Sequence, residues 1–318
     1  MAAFGTVFMP KMALATYENN SWTPSSIVPS DKLEFHPGAH VLHYSSTCFE
    51  GLKAFKHEDG SVNIFRMDAN IQRMAQSGEL LNLPEINKDQ LAQMIKDSVA
   101  LYADDVPSPP GSMYIRPTHV GTEPAIGKAA APSESSALYV LLSPVGDYFS
   151  GGATALRLLL EEDGMRCAPH MGMIKSGGNY ASALGPILQA RKECNADQIL
   201  FCPNGDVQET GAANFILIDG NEIITKALDS TFLHGITRDS ILTIARDAGM
   251  TVTERDFTVS ELLERAKKPG TEAALSGTAA VLTPVGTLIH NGQEFPVGSG
   301  EPGETTLKLR QALNDIQW

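Results

Sequence analysis

The chain has 318 residues, 42% apolar and 19% charged, and a formal net charge of −13. That apolar content excludes a disordered chain, the length suits two domains sharing a cleft, and an acidic surface without a lysine or arginine cluster excludes nucleic-acid binding. Four cysteines (Cys48, Cys167, Cys194 and Cys202) without a C-x-x-C pair give neither a disulfide framework nor a zinc site, and no apolar run is long enough for a signal or membrane span, so a cytoplasmic protein is expected.

Taken in chain order, Asp59-Gly60 lies between β-prone runs and predicts a tight hairpin, since glycine supplies positive φ. Asp68 can cap a helix carrying Ile71, Met74 and Leu81, and Leu91, Met94, Ile95 and Val99 form the apolar stripe of a second helix. Strands are predicted over 114–116, 138–142, 156–160, 199–202 and 215–218, with surface loops over 106–111 and 129–136. Helices follow over 181–194, over 237–248 with Gly249 ending it, and over 259–266. Two further hairpins are expected at Asp219-Gly220 and Asn291-Gly292. Patterning is weakest at 144–153, where Gly146, Gly151 and Gly152 cluster. This predicts a smaller N-terminal α/β domain over 1–146, a connection over 147–160 and a larger C-terminal domain over 161–318. Frequent hairpins point to an α+β fold with mixed, largely antiparallel sheets rather than a doubly wound parallel one.

Several motifs fail on context. Gly298 to Gly303 fits the spacing of a dinucleotide fingerprint, but too little chain follows for a βαβ unit. Gly121 to Lys128 has one residue too many between its glycines for a phosphate-binding loop, and Ala129 replaces the magnesium-binding hydroxyl. His40 and His43 follow Pro37 and Gly38 with no further ligand nearby, so no metal is expected. Neither a G-x-S-x-G elbow nor an H-E-x-x-H helix occurs.

Four other stretches are individually ordinary and collectively informative. Lys175 precedes Ser176-Gly177-Gly178-Asn179-Tyr180, where paired glycines let the backbone approach a flat ligand and Tyr180 offers a hydroxyl. Glu209 stands before a hydrophobic strand, where burial without a cationic partner would be costly and a protonated pyridine nitrogen would be such a partner. Gly235, Ile236 and Thr237 open a helix whose amides favour a phosphate, and Ser276, Gly277, Thr278, Ala279 and Ala280 form a small-residue turn able to take an anion. A loop lysine, a turn glutamate, a helix cap and a plain turn explain the same letters one at a time. Together they supply the Schiff-base lysine, carboxylate and anion cradle that pyridoxal phosphate needs.

Their order and wording resemble the branched-chain amino acid aminotransferases of the fold-type IV pyridoxal enzymes. The resemblance rests on Leu42-His-Tyr-Ser-Ser-Thr-Cys-Phe-Glu-Gly-Leu-Lys-Ala-Phe55, Phe65-Arg66, Met113-Tyr-Ile-Arg-Pro117, Val120-Gly-Thr-Glu-Pro124 and Leu142-Ser-Pro-Val-Gly146. It continues through Lys175-Ser-Gly-Gly-Asn-Tyr180, Glu209-Thr-Gly-Ala-Ala-Asn214, Gly235-Ile-Thr-Arg238 and Ser276-Gly-Thr-Ala-Ala280. It implies a pyridoxal 5'-phosphate enzyme with its cofactor in the cleft between two α/β domains, the second of them binding the cofactor. Lys175 would form the Schiff base and shuttle the α-proton, Glu209 would pair with the pyridine nitrogen and Tyr180 with the ring oxygen. Arg66, Gly235, Ile236, Thr237, Gly277 and Thr278 would hold the phosphate. Tyr44, Phe49 and Tyr114 would surround the substrate side chain, Arg116 would meet the distal carboxylate of glutamate, and Thr278, Ala279 and Ala280 the α-carboxylate. The implied reaction moves the amino group of L-leucine, L-isoleucine or L-valine to 2-oxoglutarate, in a homodimer or higher homo-oligomer. A D-amino acid aminotransferase or an aminodeoxychorismate lyase would reuse Lys175 and Glu209, and a non-catalytic binding protein is the rival from another class. Two departures from the pattern are His234, where proline is expected, and residues 166–172, which lack the usual glycine-rich lead-in to the lysine.

Overall fold

The first strand, Lys11–Glu18 (β1), buries Met12, Ala13 and Ala15. It is followed by Ser21–Trp22 (β2), Ser26–Pro29 (β3) and a short helix, His40–Tyr44 (α1). This computed structural model describes residues 4–146 and 154–318, so part of the connection expected over 147–160, residues 147–153, lies outside the described residues. The described chain forms two units. One holds residues 4–146 with Ile174–Gly177 and Gln317–Trp318, the other residues 154–173 and Gly178–Ile316. The segment around Lys175, assigned from the sequence to the second domain, thus belongs with the first.

The first unit continues through Thr47–Phe49 (β4), Leu52–Lys56 (β5), Val62–Ile64 (β6), Met67–Leu80 (α2), Lys88–Leu101 (α3), Ser112–Gly121 (β7) and Ser136–Val145 (β8). Its sheet runs β2-β1-β8-β7-β5-β6, with β3 on β1 and β4 on β7, and every pair is antiparallel. The β5–β6 hairpin turns at Asp59-Gly60 as expected: Gly60 has φ 83°, and Asp59 Oδ1 accepts the Ser61 N–H at 2.9 Å. Asp68 does not cap α2. The cap position is Arg66, in the left-handed region at φ 51°, and Asp68 lies in the first turn, where its charge still complements the helix dipole. In α3 the expected stripe is the buried face: Leu91, Met94, Ile95 and Val99 pack with Leu52, Ile115 and Leu142 from the sheet. Asn87 caps it through Oδ1, which accepts the Gln90 N–H at 3.0 Å.

Apart from the first residue of α4 and the last of α7, which group with the first unit, the second unit runs Leu156–Glu161 (β9), Gly177–Cys194 (α4), Gln198–Phe201 (β10), Asn214–Asp219 (β11), Glu222–Thr225 (β12), Ile236–Asp247 (α5), Thr251–Glu254 (β13), Val259–Ala266 (α6), Glu272–Gly277 (β14), Val281–His290 (β15), Gln293–Pro296 (β16) and Glu304–Gln317 (α7). The strand β9 occupies residues that the sequence reading assigned to the connection. The sheet order is β10-β9-β15-β14-β11-β12-β13, with β16 on β15. Pairs β10/β9, β15/β9 and β12/β13 are parallel and the rest antiparallel, a mixed sheet. The Asn291-Gly292 hairpin has both central residues at positive φ, 50° and 74°, the geometry of the mirror-image turn that suits strand twist. The core joins Leu158, Leu200, Phe215, Leu217, Leu262, Leu275 and Leu288. Both units are α+β, with sheets that are antiparallel or mixed.

Candidate active site

In the first unit Lys175 is held by its backbone. The Ser176 N–H donates to the Ile174 carbonyl at 2.9 Å, closing a tight turn around the lysine. The Phe49 N–H donates to the Lys175 carbonyl at 3.0 Å, and the Lys175 N–H donates to Ser77 Oγ on α2 at 3.1 Å. Ser77 is buried, and no pattern in the sequence singled it out. Lys175 Nζ then lies 5.2 Å from the centroid of the Phe49 ring.

Tyr114 and Arg116 are two residues apart on β7 and so share a face of the sheet. Arg116 Nη2 donates to the Tyr114 hydroxyl at 2.8 Å, and its Cζ sits 4.5 Å over the same Phe49 ring that Lys175 approaches. Arg116 Nε is buried with no hydrogen-bond partner among the described residues. Gly51 is obligatory beside this group, because a Cβ there would stand 2.0 Å from the Tyr114 hydroxyl. The structure therefore brings Lys175, Phe49, Tyr114 and Arg116 together. Tyr44 makes separate contacts: its ring lies 4.8 Å from His40 and its hydroxyl donates to the Ile126 carbonyl. Arg66 stands at the start of α2. His40 hydrogen-bonds with Ser46 Oγ, and His43 with the Pro37 carbonyl. Among the described residues no group of three His, Cys, Asp or Glu side chains is placed to hold a metal.

In the second unit Glu209 is buried, and it has a cationic partner within the protein. Arg166, equally buried, puts Nη1 2.8 Å from Glu209 Oε1. The Leu233 N–H donates to Oε1 at 2.9 Å, and Asn214 Nδ2 donates to Oε2 at 3.2 Å. Arg166 Nε donates to the Gly211 carbonyl at 3.2 Å, and its Cζ lies 5.5 Å from the Tyr180 ring. Asn214 is the hub of this group. Its Nδ2 also donates to the Leu233 carbonyl at 2.8 Å, its backbone pairs with Ser276, and a Cβ on Gly235 would stand 1.9 Å from its Oδ1.

Gly235 is the cap residue of α5, without a side-chain cap, so the helix begins at Ile236, one residue earlier than expected, and Thr237 lies in its first turn. His234, the departure from proline, ties down this turn with a 2.7 Å bond from Nε2 to the Asp229 carbonyl. Behind it, buried Arg238 donates through Nη2 to the Lys226 carbonyl and to Glu254. Burial works against the Lys226 ammonium, but its hydrogen bonds to Asp206 and Asp256 outweigh that cost and push its pKa up. The turn from β14 to β15 carries Gly277, Thr278, Ala279 and Ala280 and ends at Val281 with φ 56°. Ser276 Oγ is buried there without a hydrogen-bond partner among the described residues. A buried carboxylate, a phenol, a helix start and an unsatisfied hydroxyl on a small-residue turn fit a phosphate-bearing pyridine cofactor. Ser276 belongs to the turn that the sequence marked as able to take an anion, whereas Arg166 and Asn214 were given no role there. Arg166 was visible only as part of a stretch that departs from the family pattern.

The sequence model of the amino-transferase class IV family matches residues 47–288. Branched-chain-amino-acid aminotransferase 2 of Bacillus subtilis is 35% identical over 99% of this chain and 88% of that protein. A probable branched-chain-amino-acid aminotransferase of Streptomyces coelicolor is 38% identical over the same shares. Among solved structures, a branched-chain amino acid aminotransferase from the source abbreviated T.th., with pyridoxamine 5'-phosphate, superposes with a TM-score of 0.79 at 26% identity, covering 96% of this chain and 94% of that one. The same enzyme complexed with N-(5'-phosphopyridoxyl)-L-glutamate gives 0.77 at 25% identity, over the same shares. On the family match and on full-length likeness to these relatives, the chain belongs to the class IV aminotransferases, the fold-type IV group, alongside their branched-chain members.

Proposed function

We propose that the chain is a branched-chain-amino-acid aminotransferase. It transfers the amino group of L-leucine, L-isoleucine or L-valine reversibly to 2-oxoglutarate, giving the 2-oxo acid and L-glutamate, with pyridoxal 5'-phosphate as cofactor. The observation that carries this reading is the set of groups around Phe49: the Lys175 amine on the ring, and Arg116 over the same ring with a buried Nε that has no partner among the described residues. An aromatic wall suits a branched side chain, and an unsatisfied guanidinium donor suits the distal carboxylate of glutamate. One pocket can thereby accept both substrates in turn.

When bound, the cofactor supplies an electron sink for the pair of electrons left as the substrate's Cα–H bond breaks. Lys175 would hold the cofactor through Nζ, and its amine would carry the proton from the substrate's Cα to the cofactor, a transfer that runs in the opposite direction in the second half-reaction. Glu209 holds the ring nitrogen and Tyr180 the ring oxygen. Arg66, Gly235, Ile236, Thr237, Gly277 and Thr278 hold the phosphate. Tyr44, Phe49 and Tyr114 enclose the side chain and exclude water from it, while Thr278, Ala279 and Ala280 orient the α-carboxylate. We place the enzyme in the cytoplasm as a homodimer or higher homo-oligomer; no helix among the described residues is long and apolar enough to cross a membrane.

Borohydride reduction of the protein mixed with pyridoxal phosphate tests the assignment. Peptide mapping should find the cofactor's mass on Lys175 and nowhere in Lys175→Ala. A protein that stays colourless and traps nothing would refute it.

A further inference from the structure

Glu209 already has a cation in the protein, and the consequence goes beyond the reading above while resting on it. We propose that Arg166 is a positioning residue that keeps Glu209 ionised before the cofactor arrives, and that this counter-charge is what equips Glu209 to hold a protonated ring nitrogen.

A carboxylate as sealed from water as Glu209, 2% exposed, would take up a proton if it had no charged partner. Protonated, it could only donate to a pyridine nitrogen, and the ring would be held neutral. A guanidinium is always charged, so Arg166 at 2.8 Å makes the anion the stable form. The arginine is itself fixed at both ends. Its Nε donates to the Gly211 carbonyl, within the turn that carries Glu209, and its own carbonyl accepts the Ser182 Oγ–H of α4 at 2.7 Å. The Leu233 N–H donates to Oε1 and the Asn214 amide to Oε2, so these two bonds set the carboxylate plane, while the Arg166 charge lies beside Oε1 as an ion pair. The neighbouring Cys167 does not compete for the charge, because burial pushes its thiol up and keeps it neutral. The guanidinium also lies against the Tyr180 ring, so one side chain supports both proposed ring contacts.

The test reads the ring nitrogen directly, in holoenzyme reconstituted with pyridoxal phosphate labelled with nitrogen-15 at that position. Wild type and Arg166→Lys should show the protonated pyridine shift. Arg166→Gln should show the unprotonated shift and bind the cofactor roughly tenfold more weakly. An Arg166→Gln protein with a protonated ring and unchanged cofactor affinity would overturn the proposal. If that variant does not fold, Arg166→Lys decides: a protonated ring supports the role of charge, and an unprotonated one overturns it. Wild-type protein that takes up no pyridoxal phosphate overturns the functional reading and this inference together, whereas uptake with insensitive Arg166 variants overturns this inference alone.

Discussion

Gly51 and His119 show how single positions in the first unit constrain the molecule in opposite ways. A Cβ at Gly51 would displace the Tyr114 hydroxyl and with it the 2.8 Å bond from Arg116. Gly51→Ala should therefore raise KM for 2-oxoglutarate roughly tenfold, the worth of one lost hydrogen bond to a charged group. KM for branched 2-oxo acids, which have no distal carboxylate, should change less; steady-state kinetics with both acceptors checks this. His119 is buried, neither ring nitrogen has a hydrogen-bond partner among the described residues, and burial pushes its pKa from 6.5 down to about 4. The unfolded chain accepts the proton first, so stability falls as pH drops from about 6.5 towards 4 and returns as pH rises. His119→Leu should remove roughly 2 kcal/mol of this pH dependence, read by urea unfolding at pH 7 and pH 4.5.

Elements were legible where periodicity and turn chemistry agreed. The stripe on α3, the span of α6 and the Asn291-Gly292 hairpin could be read from the letters because each buries one clean face or needs one special backbone conformation. The strand β1 was not anticipated. Its Met12, Ala13 and Ala15 are buried without strict alternation, and Met, Ala and Leu favour helix when taken locally. The helix α7 was missed as well, because Thr306, Leu309 and Leu313 make only a sparse stripe and its cap comes from far away in sequence. Glu272 on β14 accepts the N–H groups of Thr305 and Thr306 at 2.9 and 2.7 Å, filling the place of a local cap. Glu272→Ala should cost about 1–2 kcal/mol in thermal or urea unfolding, the loss of an N-cap. Met94→Ala, which opens a cavity in the first core, should cost about 2–5 kcal/mol by the same measurement.

At the scale of the whole chain, the sequence assembled its candidate site from stretches far apart, and the structure supplied what joins them within each unit. Lys175, Phe49, Tyr114 and Arg116 meet through side chains that strand alternation and loop composition could only suggest. The counter-charge of Glu209 could not be read, since an arginine in an irregular segment carries no periodic signal and only folding brings it to 2.8 Å. The same holds for Ser77, which grips the Lys175 amide from the middle of an otherwise ordinary helix.

The most direct measurement is glutamate formation from L-leucine and 2-oxoglutarate by the pyridoxal-phosphate-loaded protein, with Lys175→Ala assayed beside wild type. The account predicts turnover of all three branched-chain L-amino acids by wild type and a loss of at least about a thousandfold in Lys175→Ala, as expected for removal of the group that both anchors and moves the proton. Activity on D-amino acids with none on L-leucine would contradict the substrate, and full activity in Lys175→Ala would contradict the mechanism.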